Sequence, residues 1–174
     1  MLLALALLAA APAAATPTAP AAATPAQQKP WLEISGGPMV LRRDGGFDSG
    51  PLLRLQVAVP LGERFAAELW AAGSLESAPL GRPGDQALVG GGLAGRLLLH
   101  EFDAEGRLAL WAHGGAGYLA SAAGTSLSGP TAFGGAAFVF QPVIRRFAVG
   151  LEADAVGARG AFGLALLPTL RCAL

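Results

Sequence analysis

Three things are scarce in this chain of 174 residues, and each scarcity closes a route. Cysteine occurs once, as Cys172, so no intramolecular disulfide can staple the fold. Cys172 also lies far from the N-terminus, so it is no lipoprotein anchor, and it reads as an apolar strand residue rather than a reactive thiol. Charge is the second scarcity. Asp, Glu, Lys and Arg make up 14% of the chain, against about 25% in an ordinary soluble domain. The 12 basic and 12 acidic residues cancel, which leaves no electrostatic footprint for a nucleic acid. Long apolar runs are the third. The hydrophobic fraction is 53%, yet past Pro30 no stretch of about 18 apolar residues exists to make a membrane helix. High hydrophobicity without such a run fits strands that keep one face in lipid and small residues on the other.

Glycine, by contrast, is abundant, at 25 of 174 residues, about twice the usual ~7% share. The N-terminus is apolar and small. Met1 to Ala15 form a hydrophobic run, and Ala13, Ala14 and Ala15 match a signal-cleavage triplet, with Ala21 to Ala23 a second one. No Lys or Arg precedes the run. Pro12, Pro17, Pro20 and Pro25 argue against an uncleaved membrane helix. Residues 1–23 are therefore expected to be a cleaved signal peptide, and residues 24–30 a disordered linker.

From Trp31 to Leu174 the chain falls into eight alternating segments separated by turn residues. They run Trp31–Leu41, Leu52–Leu61, Arg64–Leu75, Gln86–Leu99, Arg107–Ala120, Thr131–Gln141, Arg146–Val156 and Ala161–Leu174. Successive side chains of a strand point to opposite faces. In the second segment Leu53, Leu55, Val57 and Val59 oppose Arg54, Gln56 and Ala58. In the eighth, Phe162, Leu164, Leu166, Leu170 and Leu174 oppose Gly163, Ala165, Thr169 and Arg171. The sixth is ambiguous, with Phe133 and Val139 on one parity and Phe138 and Phe140 on the other. Turns at Gly62–Glu63 and Pro142–Arg145 are tight. Glu76–Asp85 and Ser121–Pro130 read as long loops, Arg42–Gly50 is the first connection, and His100–Gly106 is longer and Gly157–Gly160 shorter than strict alternation of turn and loop prefers. Such segments, with short turns at one end and long loops at the other, predict an all-β, eight-stranded antiparallel up-and-down transmembrane β-barrel over residues 31–174.

The polar parity supplies a check. It carries Glu33, Glu68, Glu152 and Asp154 together with Arg54, Arg96, Arg107 and Arg171, four acids against four bases, and His113 beside them. These are the expected lumen network. Arg171 and Glu33 are placed to pair across the seam between the last and first strands, and Glu68 lies between segments carrying Arg54 and Arg96. Eight strands make an interior just wide enough for side chains to fill. Trp70 and Trp111 are expected to flank Gly90 and Gly92 and so help to fill it. A soluble sandwich or lipocalin-like barrel would alternate too. Its solvated face would carry more charge than this one, and Phe65, Phe147, Tyr118 and Phe162 at predicted strand ends suit a membrane girdle.

Sharper chemistry finds little support. Acyl transfer needs a nucleophile, a base and an orienting acid in reach. Here the candidates are His113, Ser121 or Ser74, and Glu152, in no recognisable spacing, so no catalytic residue is assigned. His100 and His113 are too few and too distant for zinc. Asp44, Asp48, Glu101, Asp103 and Glu105 read as solvated turn residues without EF-hand spacing. The run Gly90–Gly95 lacks the Lys-Ser/Thr of a phosphate loop. No cofactor and no metal is expected. Pro38 and Pro168 interrupt the first and eighth strands, each removing a ladder hydrogen bond. That pattern marks a kink, or else a weakened seam that admits a lipid tail.

On strand number, alternation and loop lengths, Trp31 to Leu174 resembles the small eight-stranded outer-membrane barrels: the OmpA transmembrane domain, OmpX and opacity-like proteins. The resemblance implies a non-enzymatic envelope protein of the bacterial outer membrane, surrounded by lipid, inserted by the barrel assembly machinery, and presenting surface loops to unknown ligands. A lipid-modifying or lipid-binding barrel is the alternative reading, and a narrow passive channel the third.

Overall fold

The computed structural model describes residues 29–43, 46–76, 86–121, 128–144 and 146–174. The expected signal peptide, most of the linker, Asp44, and the central parts of the connections after Glu76 and Ser121 lie outside the described residues.

Eight strands follow one another: β1 (Trp31–Arg43), β2 (Gly46–Pro60), β3 (Phe65–Glu76), β4 (Gln86–Glu101), β5 (Leu108–Ser121), β6 (Gly129–Phe140), β7 (Phe147–Ala158) and β8 (Ala161–Ala173). Each pairs antiparallel with the next, and β8 returns to β1, so the sheet closes on itself. Closure leaves no open edge. Among the described residues there is no helix.

The start of β1, the end of β8 and the strand ends joined after β2, β4 and β6 lie at one end, the terminal end; the opposite strand ends lie at the far end. The strands outrun their sequence-predicted bounds there. Arg42–Gly50 is not a loop: β1 continues to Arg43, which pairs with Gly46, the first residue of β2. Asp48 therefore lies in β2 and is buried, not in a solvated turn, and Glu101 closes β4. A one-residue register shift between Leu98 and His100 marks a β-bulge in β4. It leaves Leu99 and His100 both outward, with the His100 ring against Phe102 at 4.7 Å.

Alternation decides what faces where. Every strand turns apolar side chains outward, among them Ile34, Leu53, Leu69, Leu93, Phe138, Leu151 and Leu164, and on β5 Tyr118. Phe65 and Phe147 open β3 and β7 at the terminal end, while Tyr118 and Phe162 sit outward near the far end. The ambiguous β6 resolves with Phe138 and Phe140 outward and Val139 buried inside.

Inside, the lumen is layered. Trp31 and Trp111 close the terminal end with ring centroids 6.5 Å apart. Charged residues fill the middle. Met39, Leu41, Ala165 and Leu167 pack together toward the far end, with Leu52 and Val156 against them. Trp70 pairs with Gly92, and a Cβ on Gly117 would stand 2.7 Å from its Cζ2, so bare glycine backbone makes room for that indole. Trp111 pairs with Leu98 instead, well below Gly90 and Gly92. The stagger of the strands separates the two indoles.

The seam between β1 and β8 is interrupted. The ladder runs from Trp31↔Ala173 to Ser35↔Thr169, stops, and resumes in the same register from Met39↔Ala165 to Arg43↔Ala161. Pro38 and Pro168, which have no N–H to give, sit in the gap. The strands nevertheless stay in contact there: a Cβ on Gly37 would overlap the Leu166 carbonyl oxygen and stand 3.2 Å from Pro168 Cδ.

Candidate functional site: a charge network across the lumen

Inward positions on seven of the eight strands converge at mid-height. Arg96, on β4, is the hub and is completely enclosed. Its Nε lies 2.7 Å from Glu68 Oε1, and its Nη2 2.9 Å from both Glu33 Oε1 and Glu152 Oε1. Nη1 also donates to Glu33 Oε2 at 3.3 Å. Arg54, on β2, reaches across to β7, where Nη1 donates to Asp154 Oδ2 at 2.7 Å and Nη2 to Glu152. Its guanidinium also lies 4.7 Å from the Phe133 ring, which projects inward from β6. Arg171, on β8, donates from Nε to Glu33 Oε2 at 2.9 Å, which ties the last strand to the first across the seam. Gln56 adds a bond of 3.1 Å to Glu68. His113 faces two carboxylates, with Nε2 2.6 Å from Asp154 Oδ1 and Nδ1 3.8 Å from Glu152 Oε1.

Eight of the nine residues expected in the lumen thus meet there: Glu33, Arg54, Glu68, Arg96, His113, Glu152, Asp154 and Arg171. Arg107 does not, and this corrects the expected set. Its parity points inward, but Gly106 turns the chain with φ 64° and β5 begins only at Leu108. Arg107 is 47% exposed and bonds within its own turn, at 3.1 Å to Asp103 and 3.1 Å to Glu105. The network therefore holds four carboxylates and three guanidiniums, with His113 as the remaining basic group.

A second buried pair, Arg43 with Asp48 at 3.3 Å, closes the far end of β1 and β2. Sequence reading missed it because it placed both residues in a loop. The signal was available: Leu41, Arg43 and Asp48 continue the inward parity of their strands.

Chemically the arrangement holds charge in place. Donor atoms of His113, Glu152 and Asp154 come within 4.8 Å of one another, the reach of a metal site. Arg54 and Arg96 already occupy those carboxylates, and a cation there would sit against their guanidiniums. Neither serine considered as a nucleophile is held toward His113. Ser74 Oγ donates to the Pro51 carbonyl at 2.9 Å, and Ser121 is the last residue of β5, eight positions along the strand from His113.

No protein-family model matches the chain, and no curated protein matches it. Solved structures do. The Neisserial surface protein A superposes with a TM-score of 0.66 at 9% identity, covering 83% of this chain and 97% of that one. Ail, the attachment invasion locus protein of Yersinia pestis, gives 0.55 at 14% identity over 83% and 99%. The outer membrane protein OprG from Pseudomonas aeruginosa gives 0.56 at 9% identity over 85% and 98%. At such identities the likeness is one of fold. The strand count, the closure and these superpositions together give this chain the fold of the small eight-stranded outer-membrane β-barrels.

Proposed function

We propose that this protein is an integral β-barrel of a bacterial outer membrane with a side-chain-filled lumen, serving a structural or surface-interaction role rather than an enzymatic one. The observation that carries this is the inversion of the usual burial order. Glu33 and Arg96 are 0% and 1% exposed, while Leu53 and Leu93 are 60% and 70% exposed. Leaving one such leucine in water rather than hydrocarbon costs about 1.5–3 kcal/mol, and every strand carries an outward apolar or aromatic side chain. A closed barrel bonds its backbone within the sheet, which is what a hydrocarbon surrounding requires.

In this reading the terminal end faces the periplasm and the far end faces outward. The connections from β3 to β4 and from β5 to β6 form the external contact surface, residues 1–23 are the cleaved export signal, and the barrel assembly machinery inserts the chain. The test is fractionation followed by gel mobility before and after heating. A membrane-fraction protein whose mobility shifts on boiling supports the proposal. A soluble protein with a single mobility overturns it.

A further inference from the structure

We propose that the terminal mouth of the barrel is a pocket for one small oxyanion, a phosphate group in particular. This rests on the membrane reading, which supplies the lipid beside the mouth, and goes beyond it. Trp31, Trp111, Arg107, Arg146, Arg171 and Gln141 line the concavity, together with small and apolar neighbours. Its chemistry is dominated by donors. Guanidinium and indole groups give hydrogen bonds and accept none.

Two of these donors are held without an acceptor. Trp31 is 4% exposed, and its Nε1 has no hydrogen-bond partner. Arg171 spends its Nε on Glu33, while its buried Nη2 has no partner. Buried donors left over in this way need an acceptor to explain them. The arginine is pre-positioned, because its guanidinium stacks 4.5 Å from the Trp31 ring and 5.8 Å from Trp111. A locked fork of this kind suits bidentate binding of phosphate or carboxylate.

Charge selects an anion over a neutral acceptor. Arg107 is neutralised at the rim by Asp103 and Glu105. Arg146, exposed in the turn before β7, has no carboxylate partner among the described residues. It is the pocket's uncompensated positive charge. Size limits the ligand. The cavity volume is ≈ 50 Å³, about the room for three to four waters, which suits a single phosphate-sized group.

Such a group has two sources, free inorganic phosphate or the phosphodiester of a neighbouring lipid. The full chain, folded in uncharged maltoside micelles, is titrated with inorganic phosphate, and with chloride at equal ionic strength, while the indole N–H resonances are followed. The Trp31 N–H shifts saturably with phosphate and not with chloride. Trp70, enclosed at mid-lumen, serves as the internal reference. Arg146→Gln, outside the strands, weakens the apparent affinity by about tenfold or more. Arg171→Gln abolishes it, and heat-modifiable mobility verifies that each variant is folded. A Trp31 shift that appears only in phosphatidylglycerol nanodiscs, and is lost in Arg146→Gln, assigns the lipid as the source. No shift with either phosphate or lipid overturns the proposal, as does an equal shift with chloride.

Discussion

Arg96 and Glu33 meet through bonds of 2.9 and 3.3 Å, although their strands, β4 and β1, are not neighbours in the sheet. The contact crosses the lumen. Arg96 reaches Glu68 on adjacent β3 and Glu152 on β7 as well, so one side chain braces four strands from within. Removing one partner of a buried ion pair costs about 3–5 kcal/mol, because the remaining charges are left uncompensated. Arg96→Ala strands parts of three carboxylates. It is expected to lower unfolding free energy by at least about 3 kcal/mol in urea titrations of the micelle-bound barrel. A change below about 1 kcal/mol, the scale of a surface pair, would show that the network is loosely coupled.

His113 and Asp154, 2.6 Å apart, invite comparison with a catalytic pair. The ring nevertheless lies between two carboxylates, while Ser74 Oγ is bonded to the Pro51 carbonyl and Ser121 lies at the far end of β5. A structural role is expected. A double-mutant cycle of His113→Ala and Asp154→Ala should return a coupling of about 1.5–3 kcal/mol, the range for hydrogen bonds to charged groups. Lipid A from cells carrying wild type and His113→Ala should have the same acylation. Acylation that differs between the two would reverse this reading and make the lipid-modifying alternative the leading one.

The interrupted seam gives a local prediction. Between Ser35↔Thr169 and Met39↔Ala165 the β1–β8 ladder lacks its pairs. Amides of Gly36 and Leu166, which face the seam in the alternation set by the Leu174 amide on the Pro30 carbonyl, should exchange with solvent deuterium faster than those of Val40 and Leu164 in the same two strands. Equal protection throughout would mean that the prolines cost the seam nothing. Gly37→Ala should also destabilise the barrel by about 1–3 kcal/mol, the usual cost of overpacking, because the added methyl meets the Leu166 carbonyl.

The turn after β4 carries a pH-sensitive capping contact. The Leu108 amide donates to Asp103 Oδ1 at 3.0 Å, and Arg107 Nε to its Oδ2 at 3.1 Å. The Leu108 bond first, then Arg107, hold the Asp103 carboxyl below its usual pKa. A lowered folded-state value stabilises the turn above the ordinary carboxylate range. That contribution is lost as pH falls through the lowered value. The Leu108 amide resonance should therefore titrate below about pH 3.9, and Asp103→Asn should flatten that titration without altering barrel unfolding. A Leu108 midpoint at or above the ordinary value would contradict the capping.

How much of this was legible depended on what each position had to separate. In β2, β7 and β8 one parity is apolar and the other polar or small, so facing was readable residue by residue. In β6 Phe133 and Val139 point inward and Phe138 and Phe140 outward. Part of the lumen is itself apolar, so hydrophobicity alone could not choose. Parity also says that Arg54 points inward, but not how far it reaches. Its partners are Glu152 and Asp154 across the barrel rather than Glu68 on the adjacent strand. Arg107 was lost to a strand end set by a single glycine, and Arg43 with Asp48 to a hairpin that read as a loop. Strand ends are where alternation stops carrying information, because no face has yet been buried.

The filled lumen makes a prediction about conduction. An ion entering from the terminal end meets Trp31 and Trp111 with Arg171 stacked on them. Next it meets Arg54 and Arg96, bonded to the carboxylates of β1, β3 and β7. Beyond lies the apolar layer of Met39, Leu41 and Leu167. Passage would require parting buried ion pairs and then desolvating the ion against hydrocarbon, each costing several kcal/mol. The purified barrel in planar bilayers should therefore give no resolved current steps. Arg54→Ala, which removes one cation from the middle layer but leaves both end layers, should remain silent as well. Reproducible ohmic steps from the wild-type protein would show that the three layers do not seal, and would favour the channel reading over the plugged barrel.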